Sequence, residues 1–306
     1  MKSQRALTLL ACTLLVLLPF GLSDFWIFIA IEVLAFALYA LSFNLLLGFG
    51  GMLSFGHAAF FGVGAYSAAI FFKRSGLDVV WMFTLAPLVA MAVAATAAAV
   101  IGYFSVRRSG IYFSMLTFAF QMLLYTVALK ASGLTGGDDG ITGLKPPGVL
   151  GQPLGYYFYA LCWCLPSVYL LRRLVLSPFG LTLRALKDDP LRVQYVGVHV
   201  RRHQWAAFVI SAGFAGLGGA LFAFSSGNVF PSWLNWTASA TPVVMAVLGG
   251  VQSFYGAIVG AAVYVVLEVM ISGKTEYWPL AMGIIIVLLV LLMPTGLVGR
   301  FKRTER

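Results

Sequence analysis

Ten apolar runs follow one another along this chain with little between them: Ala6 to Phe20, Trp26 to Leu47, His57 to Phe72, Val79 to Phe104, Ile111 to Leu129, Tyr156 to Leu171, Gln204 to Phe224, Ala238 to Val251, Phe254 to Ser272 and Trp278 to Val298. Crossing a bilayer as a helix takes roughly 20 such residues. Lipid offers no partner to a backbone N–H or C=O, so runs of this kind must be helical, and the short alternating strands of a barrel are absent. A soluble fold is excluded on separate grounds. Only 10% of the 306 residues are charged and mean hydropathy is +0.94, whereas a solvated surface uses about 25% charged residues. The expected fold class is an all-α polytopic membrane protein, a bundle of about ten transmembrane helices, some broken. It forms a single transmembrane domain over 1–306, with a cytoplasmic segment at 177–203 and an external loop at 131–155.

Orientation follows from the basic residues. With the N-terminus inside, Lys2, Arg5, Arg107, Arg108, Arg172, Arg173, Arg184, Lys187, Arg192, Arg201, Arg202, Arg300, Lys302, Arg303 and Arg306 fall in the cytoplasm. Lys73, Arg74, Lys130, Lys145 and Lys274 fall outside. That excess is the positive-inside pattern, and it places both termini in the cytoplasm. It also accounts for the net charge of +10 without nucleic acid, for which no basic-aromatic module is present. Lys73 and Arg74 are the misfit, and they point to a broken or re-entrant neighbouring span. The first run lacks a small-x-small cleavage site between Pro19 and Asp24, so an uncleaved helix is expected.

Between Asn44 and Gly64 lie six glycines together with Ser54 and His57. Gly56, Ala59 or Phe60, and Gly64 lie near small-xxx-small spacing, which suits close helix packing. The sharper reading is a broken helix whose freed backbone groups line a polar path. Gly50, Gly51, Ser54 and Phe55 recur at the same spacing as Gly249, Gly250, Ser253 and Phe254, although a chain with 33 glycines yields short matches by chance. Glu32 and Glu268 would serve a proton relay only if deeply placed, and both fall near external helix ends, where a carboxylate costs little.

Enzyme chemistry finds no support. Gly273, Lys274 and Thr275 imitate the end of a Walker A loop, but Glu268 stands where its first glycine belongs. Met52 stands where a nucleophile elbow around Ser54 needs glycine. Asp138 and Asp139 suit a glycine-rich turn better than paired acid-base catalysis. His57 has no second ligand at metal spacing, and His199 and His203 flank Arg201 and Arg202 in a basic turn, so no metal site is expected. Cys12, Cys162 and Cys164 sit in apolar runs and behave as small hydrophobes.

The cytoplasmic segment mixes apolar and charged positions over Ser177 to Val193. It is too short and too polar to span, yet too apolar for a solvated turn. An amphipathic pair of short helices docked on a partner is expected, with Pro190 at the junction.

These blocks together, Asn44 to Ala69, Leu134 to Pro147, Ser177 to Phe224, Val247 to Ala262 and the ending Pro294, Thr295, Gly296 and Leu297, make the chain resemble the permease subunits of branched-chain amino acid ABC importers, most closely the M-type subunit of the Liv system. The resemblance implies a multi-pass protein of the bacterial inner membrane and no enzyme activity in this chain. It implies partnership with a second homologous permease, two cytoplasmic ATPase subunits that bind ATP and Mg, and a periplasmic substrate-binding protein; no cofactor is implied in the chain itself. Arg184, Ala185, Leu186, Lys187, Asp188 and Asp189 resemble the segment that couples to an ATPase, with Pro190 where the family often has Glu. Thr135, Gly136, Gly137, Asp138 and Asp139 belong to a loop that resembles the face where the binding protein docks. For the translocation path, Asn44, Ser54 and His57 are the expected polar groups and Phe60 and Phe61 the apolar wall. Importers of urea and short amides share the same blocks, and a stand-alone secondary transporter or channel would need no coupling segment.

Overall fold

In the computed structural model, residues 13, 15–76, 78–146, 148–274, 276–293 and 296–298 are described. Most of the first apolar run, Lys2, Arg5, Cys12, Pro147, Thr275, Pro294, Thr295 and the basic residues from Arg300 onward lie outside them.

The described chain is almost wholly helical: α1 Asp24–Asn44, α2 His57–Arg74, α3 Val79–Ser105, α4 Ile111–Lys130, α5 Pro153–Leu176, α6 Pro178–Asp188, α7 Pro190–Tyr195, α8 Val200–Ser226, α9 Trp236–Gly249, α10 Phe254–Ser272 and α11 Trp278–Leu292. Among the described residues, six segments are long and apolar enough to cross a membrane: Asp24–Phe49, Trp81–Ser105, Ile111–Lys130, Pro153–Leu176, Val200–Ser226 and Phe254–Ser272. The first of the ten expected crossings lies mostly outside the described residues, and the other nine resolve into six long helices with α2 and the shorter apolar α9 and α11 beside them.

α8 runs through the middle of the bundle, buried along most of its length against α1, α2 and α3. Glycine makes these crossings close. A Cβ on Gly64 of α2 would strike the Gly216 backbone, one on Gly219 the Phe61 carbonyl, and one on Gly216 the Ala94 side chain. In lipid, where apolar contact alone gives helices no reason to associate, such close backbone packing holds them together.

The two ends of the bundle differ. At one end are a one-turn helix at Ser132–Thr135 and the only strands among the described residues, β1 Ile141–Thr142 and β2 Asn228–Val229, which pair antiparallel with Ile141 opposite Val229. Arg74 belongs here as well: its Nη2 donates to Gly133 O at 2.8 Å. Cations at the last turn of α2 also suit the helix dipole, which explains their place outside the basic end. At the other end sit the glycine-rich turn before α2, the α6–α7 pair and the start of α8.

After β2 the chain turns inward. Pro231–Leu234 forms a 3-10 turn whose Pro231 and Leu234 are buried. Leu234 packs on Gly62, and its carbonyl accepts from Gln121 midway along α4. α9, of 14 residues, thus starts inside the bundle and covers only part of its depth.

Candidate functional site

α1 does not stop at Asn44 but widens into a π-turn, Leu45–Phe49. Gly48 has no room for a Cβ, which would meet Val251 O and Asn44 Oδ1, and Gly51 holds φ at +66°. Ser54 then accepts from Gly56 N at 3.3 Å, and α2 begins at His57. The glycines thus let the chain turn within the bundle at the foot of α1 and start a new helix there.

Around that new start lies a layer of buried polar side chains from five helices: Ser42 and Asn44 of α1, His57 of α2, Thr117 and Gln121 of α4, Ser211 of α8 and Ser239 of α9, each at most 1% exposed. The buried polar side chains described include no carboxylate, lysine or arginine. Ser239 joins two helix starts: Ala58 N donates to its Oγ at 3.0 Å, Oγ donates to Gln121 Oε1 at 2.8 Å, and Gln121 Nε2 donates to Leu234 O at 3.0 Å. One of the N–H groups that a helix start leaves free is therefore met by a hydroxyl from another helix. Ser211 similarly donates to Ser42 O, and the Tyr39 hydroxyl to Ala238 O at 3.2 Å.

The tautomer of His57 follows from its neighbours. Ser42 Oγ donates its single proton to Tyr39 O at 2.7 Å, so at the 2.9 Å contact with His57 Nε2 it is the acceptor. Nδ1 is then an acceptor, and it has no partner among the described residues; Asn44 Oδ1 has none either, while Asn44 Nδ2 donates to Ser253 O at 3.1 Å. Phe60 meets Phe208 edge-on at 5.2 Å and Phe61 packs on Tyr39 at 4.6 Å. Both are buried and fill the core beside the layer. Ser42, Thr117, Gln121, Ser211 and Ser239 are absent from the sequence-based set; their one signal is that each is a polar side chain within a predominantly apolar run.

Beneath the layer lies the amphipathic pair. Leu183 and Leu186 of α6 are buried, whereas Leu181, Arg184, Ala185 and Asp188, spaced to share one face, are exposed. Lys187 reaches back, its Nζ donating to Gly48 O at 3.0 Å, and the Arg184 guanidinium lies 4.8 Å from the Phe49 ring centre. Pro190 opens α7, and Asp189 caps it, accepting from Leu191 N at 3.0 Å and Arg192 N at 3.2 Å and pairing with Arg192 Nε at 2.8 Å. Proline suits this first helical position because its missing N–H is not needed there.

In the opposite loop Thr135 and Gly137 are buried, and Asp138 and Asp139 are exposed on a 3-10 turn. Thr135 Oγ1 lies 2.6 Å from Ala128 O and 2.9 Å from Ala131 O and accepts from Gly137 N at 3.4 Å. Gly136 holds φ at +80° and Gly140 at +66°, where a Cβ would strike the Val229 carbonyl. Thr135 and the glycines shape this loop, and the two aspartates are what it presents. Glu32 of α1 and Glu268 of α10 lie close enough to influence each other in the half nearer this loop. No three His, Cys, Asp or Glu side chains gather as a metal site among the described residues.

The family described as Branched-chain amino acid transport system / permease component matches residues 25–293, from the first turn of α1 to the end of α11. The chain belongs to this family. Its polar layer, π-turn and α6–α7 pair all lie within the matched region. This permease is 28% identical to the high-affinity branched-chain amino acid transport system permease protein LivM of Escherichia coli (strain K12), over 96% of this chain and 75% of that protein. It is 25% identical to the corresponding permease protein LivH of the same organism, over 87% of this chain and 91% of that protein. It is 25% identical to the permease protein BraD of Pseudomonas aeruginosa, over 87% and 92%. No solved structure matches it.

Proposed function

We propose that this permease carries branched-chain, hydrophobic amino acids inward across a bacterial inner membrane as one of two similar permeases in an ATP-driven importer. The observation that carries the reading is that the family match spans a buried layer of small dipoles, without fixed charge, at two helix starts inside the bundle. A zwitterion with an apolar side chain is neutral overall, and burying it against a fixed charge would leave that charge unpaired once the substrate moved on. The N–H groups at the start of α2, one of which Ser239 now meets, suit its carboxylate, and the open acceptors His57 Nδ1 and Asn44 Oδ1 suit its ammonium. In this reading Ser239 holds the carboxylate place between transport cycles, Phe60 and Phe61 back the apolar side, and α2 and α11, with the part-depth α9, complete the bundle.

The α6–α7 end is assigned to the cytoplasm because nine basic residues lie at that end of the described chain and five at the other. Arg184, Ala185 and Asp188, with Leu181, form the face offered to an ATPase subunit, while Lys187 transmits its movement to the π-turn. Closure of two ATPases on ATP and Mg would shift α6, and through Gly48 the foot of α1, so that the polar layer opens alternately to each side. Asp138 and Asp139 are then the external groups offered to a substrate-binding protein.

ATP-dependent uptake of radiolabelled leucine, set against urea, tests this in vesicles containing the chain, its co-purifying partners and the binding protein. Leucine accumulation that requires ATP is expected. Urea accumulation in its place would reassign the substrate, and leucine uptake driven by an ion gradient without ATP would overturn the ATP-driven mechanism.

A further inference from the structure

Beside the α6–α7 pair, at the same end of the bundle, Arg107 and Arg108 from the α3–α4 connection meet Arg201 and Arg202 from the first turn of α8. Two cavities adjoin there. One, of about 380 Å³, is lined by Gly102, Tyr103, Val106, Arg107, Arg202 and Trp205, among others. The second, of about 1020 Å³, adds Arg108, His199 and Gln194. Neither cavity has a carboxylate in its lining. The four arginines are exposed, and none takes part in an ion pair among the described residues, where Arg192 with Asp189 is the pair found. The start of α8 adds its own positive end, since His199 caps it without a side-chain hydrogen bond.

Four unneutralised guanidiniums at one place repel one another, so a site of this make-up calls for an anion. Its surroundings say which kind. Tyr103 and Trp205 are both partly exposed, Arg107 lies 4.3 Å over the Tyr103 ring, and the Trp205 indole N–H donates to Ala99 O at 2.9 Å. Aromatic rings held this way at the end of an apolar helix mark the depth of the lipid headgroups. Below them on α3 the exposed Val100, three residues before Tyr103, adds apolar surface. The arrangement offers phosphate contacts above and an acyl-chain wall beneath. The larger cavity also takes in Pro190 and Leu191 of α7, so the apolar α6–α7 surface suited to a soluble protein begins at its rim, whereas the smaller cavity is lined by the α3 end and α8 alone.

We propose that this cleft is a binding site for the phosphate headgroup of an anionic phospholipid in the cytoplasmic leaflet, a proposal that rests on the orientation given above. Trp205 and Tyr103 set the lipid's depth, and Arg107, Arg108, Arg201 and Arg202 hold its phosphate. Basic pockets between transmembrane helices on the cytoplasmic side suit such lipids.

The test is lipid occupancy, which is independent of what is transported. The assembled transporter is placed in nanodiscs of mixed phosphatidylglycerol and phosphatidylcholine, and the lipids retained by it are measured by native mass spectrometry. Preferential retention of phosphatidylglycerol is expected. Arg201→Gln with Arg202→Gln is expected to lower that preference about thirtyfold, at about fivefold per charge near the interface. Arg201→Lys with Arg202→Lys, which keeps the charge, is expected to retain most of it and so controls for folding. Equal retention in wild type and the Gln variant would overturn the proposal. So would displacement of phosphatidylglycerol by millimolar inorganic phosphate, which would mark a free-anion site, or loss of ATPase subunits from the Gln variant with lipid retention unchanged, which would mark a protein-docking face.

Discussion

Ser239 is the residue on which most of the buried polar layer turns, because one hydroxyl serves both an N–H of α2 and an amide of α4. Ser239→Ala would leave Ala58 N–H and Gln121 Oε1 buried without partners, at a cost of about 1–3 kcal/mol. A lowered unfolding midpoint of the detergent-solubilised protein is the expected readout. Gln121→Leu removes the same chain of bonds from its other end. The double variant should therefore fall short of the sum of the two single losses, and strict additivity in a double-mutant cycle would show that the two residues do not act together. His57 carries a different lesson. Its identity in the sequence said only that an imidazole lies in an apolar run; the proton on Nε2 is fixed by Ser42, whose own proton goes to Tyr39 O.

Among the elements, the junction of α6 with the π-turn is the smallest mechanical unit, since one ammonium bonded to the Gly48 carbonyl links a surface helix to the foot of α1. Lys187→Met keeps the stem that packs over Gly51 and removes the bond. The expected outcome is a transporter that still assembles with its ATPases but hydrolyses several times more ATP per leucine accumulated, measured by parallel hydrolysis and uptake assays. An unchanged ratio would remove Lys187 from the transmission path. Much of this element was legible in the sequence. Pro178 and Pro190 open two helices at positions where the proline ring fits, and the spacing of Leu183 and Leu186 against Arg184 and Asp188 separates the two faces. The break before α2 was legible too, because only glycine tolerates the approach of Val251 O to Gly48 and the positive φ of Gly51. The recurrence of Gly-Gly and Ser-Phe before α10 also has a place. Ser253 accepts from Asn44 through its carbonyl, so the two turns touch. The shortness of α9 was legible, since the apolar run Ala238 to Val251 is no longer than the 14-residue helix, but the depth at which it begins was not. Ala238 to Val251 is as apolar as a true span, and hydropathy records what a residue tolerates around it, not the depth at which a helix begins. Only the contacts of Leu234 with Gly62 and Gln121 reveal that depth.

For the molecule as a whole, the distribution of exposed apolar surface separates two kinds of neighbour. Along α3, α4, α10 and α11 exposed residues such as Val100, Leu123, Met270 and Leu288 lie on membrane-length or apolar helices, where lipid or a second permease covers them without cost. Leu181, Leu191, Tyr195 and Val196 do not; they project from the amphipathic pair beyond the spans, Tyr195 at 89% and Val196 at 84% exposure. Water is a poor neighbour for a patch of that kind, and each such side chain gains about 1.5–3 kcal/mol when fully covered. In the proposed reading an ATPase subunit is that cover, and the charges of Arg184 and Asp188 at the rim would orient it. Leu191→Ser with Tyr195→Ser should therefore weaken retention of the ATPase subunits during purification by at least about a hundredfold in affinity. Neither residue has a packing role inside the permease, so its own unfolding midpoint should stay unchanged. The combination matters because the two readouts separate the roles of the same surface: a lowered midpoint with the ATPases still bound would mean that α7 stabilises the permease itself, and that its apolar face is not the seat of the partner.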